Sequence, residues 1–157
     1  METPTPVVFE TLPGKDSLGN KAFKSLNLTH FKVDYFKPEN GNAYYVLTSN
    51  ADPAHPLRLY QSAMDKLPVK LDYAFSTAKE IEGANLPDNK NFDNGIINSY
   101  GSMVVRLVST TFKQKVNIWL RLYTLNENKE SLPTRTGVRF SLEDNLEAFG
   151  KFISENK

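Results

Sequence analysis

From Lys115 to Tyr123 the chain reads Lys-Val-Asn-Ile-Trp-Leu-Arg-Leu-Tyr, and every second side chain is a plain aliphatic one. Extended backbone sends successive side chains to opposite faces of a sheet, whereas a helix would scatter this pattern around its axis. A strand therefore puts Val116, Ile118, Leu120 and Leu122 on one face and Lys115, Asn117, Trp119, Arg121 and Tyr123 on the other. The first set is a core face. The second mixes cations with aromatic rings, the combination a surface needs to hold phosphates and stack bases together.

Charge supports this division. The chain of 157 residues carries a net charge of only +1, but residues 102–142 hold seven basic side chains against two acidic ones. Residues 143–155 hold one against four, and residues 1–100 ten against twelve. The positive charge thus gathers around the alternating strand. Hydrophobic residues at 39% and charged residues at 24% are ordinary for a globular chain long enough to bury a core. No run is long enough to span a bilayer and no signal-type start is read, so an intracellular protein, nuclear or cytoplasmic with its ligand, is expected.

The remaining pattern is mostly strand. Residues 1–25, with Pro4, Pro6, Pro13, Gly14 and Gly19, read as a flexible arm. Residues 26–157 read as a single β-rich domain. Residues 31–36 and 43–49 form a hairpin around Lys37-Pro38-Glu39-Asn40-Gly41-Asn42, and 57–61 and 68–75 are two more strands. A short helix is expected from Ser76, ended by Gly83, and residues 86–98 read as a connection between halves. Strands follow at 102–108, 113–125 and 136–142, then a helix capped by Ser141 whose apolar positions are Leu146, Phe149 and Ile153. The expected fold is α+β, mainly β, with a curved antiparallel sheet and a C-terminal amphipathic helix on its apolar face. Within it, residues 26–93 are expected to add strands and loops to one sheet completed by 94–157. The alternative is that the first half repeats the plan of the second.

Catalytic chemistry finds no foothold in this reading. Zero cysteines exclude disulfides, thiolate zinc sites and cysteine nucleophiles, and the two histidines, His30 and His55, have no companion at ligand spacing. Asp88, Asp93, Glu127 and Glu130 fall in loops without a two-carboxylate motif, and neither a phosphate-cradling glycine loop nor a nucleophile elbow is present. No catalytic residue, cofactor or metal is assigned.

Residues 108–155, about a third of the chain, carry a Phe112-Lys113 turn followed by Lys115, then Val-x-Ile-x-x-Arg-x-Tyr from Val116 to Tyr123. An acidic loop, Pro-x-Arg-x-Gly from Pro133 to Gly137 and a Ser-Leu-Glu helix opening complete the order. This segment resembles the core of the positive-cofactor-four family of transcriptional coactivators and single-stranded-DNA-binding proteins. The resemblance implies a curved sheet backed by a helix, a homodimer, and channels for single-stranded nucleic acid, with Phe112, Lys113, Lys115, Arg121 and Arg135 touching the strand. Thr124 and Thr136 stand where the family often has an aromatic and a basic residue, and Trp119 and Arg139 are the candidate replacements. With Tyr123, the expected interface is Phe112, Lys113, Lys115, Trp119, Arg121, Tyr123, Arg135 and Arg139. Its partners would be single-stranded DNA or RNA, bound with weak sequence preference, a second copy of the chain, and replication or transcription proteins. The rival expectation is a structural or protein-interaction module, such as a virion or scaffold component, using the same aromatic face.

Overall fold

The computed structural model describes residues 24–39 and 41–156. Most of the expected arm, 1–23, and Asn40 of the expected turn lie outside the described residues, while Lys24 and Ser25 belong to a strand. The described chain builds four strands followed by helix, twice over. Strands β1 (Lys24–Asn27), β2 (Phe31–Phe36), β3 (Tyr44–Ser49) and β4 (Leu57–Tyr60) form an antiparallel sheet in sequence order. One short helix, α1 (Gln61–Met64), and one long one, α2 (Leu67–Gly83), follow. Strands β5 (Asn91–Tyr100), β6 (Met103–Phe112), β7 (Lys115–Leu125) and β8 (Ser131–Phe140) form a second antiparallel sheet, again in sequence order, before α3 (Leu146–Glu155). The fold is mainly β, with the C-terminal helix packed against a sheet.

The first half therefore does not extend a single sheet. Its four strands close their own ladder, and the two sheets share one core that includes Val33, Tyr45 and Leu59 from the first and Leu107, Leu120 and Val138 from the second. The helices tie the halves together crosswise. Helix α2 lies over β5, β6 and β7. Helix α3 lies chiefly on the first sheet, where Phe149 meets Phe31 edge-on at 6.4 Å and Phe152 meets Tyr45 at 6.1 Å. The Gln61 amide donates to the Ile153 carbonyl at the end of α3 at 3.0 Å, and its oxygen accepts from the Tyr45 hydroxyl. Each half's helix thus covers the other half's sheet.

Three local expectations are corrected. The alternation of Pro68 to Phe75 is not a strand but the opening of α2, and the residues expected as a separate short helix are its second half. The buried stripe is Leu67, Leu71, Ala74 and Ala78, a helical spacing in which two alanines do the work of larger apolar residues. Pro68 sits in the first turn, where a missing N–H breaks no helical bond. Residues 91–98 are strand rather than connection, because β5 is an edge strand with two register shifts, and its polar, asparagine-rich sequence suits a strand that faces solvent. The last helix begins later than Ser141. Asn145 caps it by accepting from the Ala148 N–H at 3.0 Å, and Asp144 turns back to accept from the N–H groups of Ser141 and Thr29, both at 2.7 Å.

Candidate functional site

The register of the second sheet fixes which side chains share its outer face. Directly opposed residues point the same way, so Ser109, Ile118 and Phe140, like Leu107, Leu120 and Val138, form rungs on the core side. Between them come the outer rungs. One joins Asn91, Thr110 and Asn117. The next joins Asp93, Val108, Trp119 and Arg139, and a third joins Ile96, Arg106, Arg121 and Gly137. Val104 opposes Tyr123, and Phe112 opposes Lys115 at the end of the hairpin. The two faces expected from the alternation of Lys115 to Tyr123 are those the strand presents.

A cleft of about 360 Å³ opens on this outer face, lined by Asn89, Asn91, Thr110, Phe112, Asn117, Trp119, Arg121 and Tyr123. Its wall is held by the chain before β5. The buried Thr111 hydroxyl donates to the Pro87 carbonyl at 2.7 Å and accepts from the Lys90 N–H at 2.9 Å, while the Asn89 N–H donates to the Thr111 carbonyl at 2.7 Å. The Asp88 carboxylate accepts from the Lys113 N–H at 2.7 Å. These bonds fix the loop that carries Asn89 and Asn91 against the end of β6.

Electrostatically the floor is unusual. Arg106 and Arg121 stand directly opposite one another, a pairing that like charges disfavour. Arg106 is neutralised by Asp93, with Nη1 2.5 Å from the carboxylate. Among the described residues Arg121 pairs with no carboxylate and its buried Nε has no hydrogen-bond partner; its guanidinium lies 4.6 Å from the Trp119 ring centre. Tyr123, next along β7, has its phenol pushed above the usual value, first by burial and then by Asp93, against the opposing pull of Arg121 and Arg106. It therefore stays neutral and able to donate at any physiological pH. Gly137 lets β8 come close beside Arg121, since a Cβ there would meet the Leu120 carbonyl oxygen at 3.0 Å and the Arg121 Cα at 3.3 Å.

Of the eight residues expected at the interface, Phe112, Trp119, Arg121 and Tyr123 meet in the cleft. Lys115 stands opposite Phe112, and Lys113 occupies the β6–β7 turn with its ammonium 5.3 Å from the Phe112 ring centre, so both sit at one end of the face. Arg135 is exposed on the irregular part of β8 and Arg139 turns to His30, Nη2 to Nε2 at 2.9 Å; neither lines the cleft. The cleft also recruits Asn89, Asn91 and Thr110, which the sequence does not single out. Thr110 could have been found from its two-residue spacing to Phe112, but Asn89 and Asn91 stand in an Asn- and Asp-rich stretch with the composition of a loop.

Among the described residues no group of three or more His, Cys, Asp or Glu is placed to hold a metal ion, and no helix is long and apolar enough to cross a membrane. The fold and site define a two-sheet α+β protein with an aromatic and cationic cleft on one outer face. No protein-family model matches the chain, and a search of curated proteins finds no match.

Proposed function

We propose that this chain binds single-stranded nucleic acid, DNA in the first instance, through the outer face of its second sheet, and that its role is binding rather than catalysis. The observation that carries this reading is the cleft itself, where three aromatic side chains and an arginine with no carboxylate partner among the described residues line one surface together with amides and a hydroxyl. Rings stack on any base, and Arg121, Lys113, Lys115 and Arg135 supply charge along a path for phosphates. Along most of the bound strand such contacts are sequence-tolerant. The resemblance of residues 108–155 to the positive-cofactor-four family points the same way, toward protecting or presenting exposed strands in replication, recombination or transcription. The two sheet-and-helix units of one chain take the place of the pair that a homodimer would supply, and a second copy would add a second cleft.

Trp119 is the only tryptophan in the chain, so its fluorescence reports directly on the cleft. Titration with an oligonucleotide at several salt concentrations is expected to quench it saturably, with affinity falling as salt rises. Unchanged fluorescence and no binding by filter retention at low salt would sink the proposal.

A second reading, a protein-interaction module, is favoured by one observation away from the cleft. Val69 and Tyr73 lie one turn apart on α2 and are 76% and 59% exposed. In that case replacing both with Ser abolishes partner capture and leaves oligonucleotide binding intact, whereas Arg121→Gln does the reverse.

A further inference from the structure

We infer that the cleft reads one base by its edge, and that this base is thymine or uracil. The inference rests on the nucleic-acid reading above and specifies its ligand. Asn91, Thr110 and Asn117 form a rung directly across three strands. Adjacent strands lie about 4.8 Å apart, so the two amides start from backbones about 10 Å apart with the threonine between them. Along the strands, the rung is flanked by Phe112 on one side and Trp119 on the other, each two residues away. A base set edge-down on the rung would turn one face to the Trp119 ring.

The hydrogen-bonding capacity of the rung is specific. The Thr110 hydroxyl donates to Asn91 Oδ1 at 2.8 Å, which occupies the amide oxygen and leaves the Asn91 amino group as the donor toward the cleft. The Asn117 side-chain amide has no hydrogen-bond partner among the described residues and offers an acceptor and a donor. With the Asn117 amide oxygen turned toward Thr110, the order across the rung is donor, acceptor, donor. The pairing edge of thymine or uracil presents the complement, a carbonyl, a ring N–H and a second carbonyl. Cytosine and adenine begin with an amino donor, and guanine ends with one, so each leaves a rung group unmet. Unmet polar groups at a desolvated edge are what produces discrimination between bases. Arg121, on the next rung but one, then takes the adjoining phosphate.

The test compares oligothymidylate, oligodeoxycytidylate and oligodeoxyadenylate of equal length at one salt concentration, followed by Trp119 fluorescence. The thymine strand is expected to bind roughly ten-fold more tightly than the others. Asn117→Ala is expected to remove most of that preference while leaving the salt dependence in place. A ligand-side control needs no altered protein: methylating N3 of thymine removes the ring donor and keeps every phosphate, and is expected to lower affinity to the cytosine level. Equal affinity for all three strands, a preference for another base, or a thymine preference untouched by both changes would overturn the inference while leaving strand binding standing. If no oligonucleotide binds even at low salt, strand binding itself falls and base reading with it.

Discussion

Trp119 does two things with one ring. It stands beside Val108, its cross-strand partner on β6, which is 5% exposed, and it carries the Arg121 guanidinium on its face. Removing it should therefore show in binding and in stability together. Trp119→Ala is expected to weaken oligonucleotide binding by about 1 to 3 kcal/mol, read by anisotropy of a labelled strand. Arg121→Gln should instead lower the slope of log affinity against log salt by roughly 0.7, the signature of one lost phosphate contact on a single strand. An unchanged slope would place Arg121 outside the phosphate path. Tyr45, on the core side of the first sheet, makes a prediction about pH. It is fully buried, its hydroxyl donates to Gln61 at 2.6 Å, and burial is the main reason its phenol is pushed up to about 12. Because the folded chain holds this proton more tightly than the unfolded one, Tyr45's contribution to stability is complete below about pH 10. It is lost as pH climbs from there through about 12. Denaturant midpoints should fall across that window, and Tyr45→Phe should flatten part of the fall.

Among the elements, α3 holds most by a single side chain. Phe149 is 1% exposed and packs edge-on against Phe31 and Phe140, so it touches both sheets. Phe149→Ala is expected to cost about 3 to 5 kcal/mol, measured by urea unfolding. The β6–β7 hairpin holds the opposite opportunity. Lys113 and Gln114 both occupy the left-handed region, with φ of 50° and 64°, which suits the twist of a two-residue hairpin but strains side chains with a Cβ. Gln114→Gly is expected to stabilise the chain by about 1 kcal/mol, seen as a higher denaturant midpoint. The same elements show what the sequence could disclose. Strand β7 was legible because Ile118 and Leu120 meet only core while Trp119 and Arg121 meet only the cleft, so each face wrote its own pattern. Phe149 and Ile153 were legible for the same reason on a helix. Helix α2 was not, because Val69 and Tyr73 happen to alternate with Lys70 and Asp72, and the true stripe ends in Ala74 and Ala78, whose small side chains weigh little in any apolar pattern. Strand β5 was illegible because Asn91 and Asp93 face the polar cleft side of an edge strand. That hid two of the eight residues that line the cleft, Asn89 and Asn91, since these amides of the wall come from sequence that looks like linker.

At the scale of the whole molecule, the crossed helices make the two sheets dependent on each other. With α2 over the second sheet and α3 on the first, neither half keeps its core covered alone. Thermal unfolding followed by calorimetry and by Trp119 fluorescence is expected to give one coincident transition. Two separated transitions would show that the halves are independent. The crossing also sets an order in time. A chain leaves the ribosome from its N-terminus, and β2 and β3 emerge before the second sheet, with Phe31 and Tyr45 on the face that α3 must cover. Their lid, α3, is made only after all four strands of the second sheet. The first sheet is thus obliged to wait uncovered until the whole of the second has been synthesised.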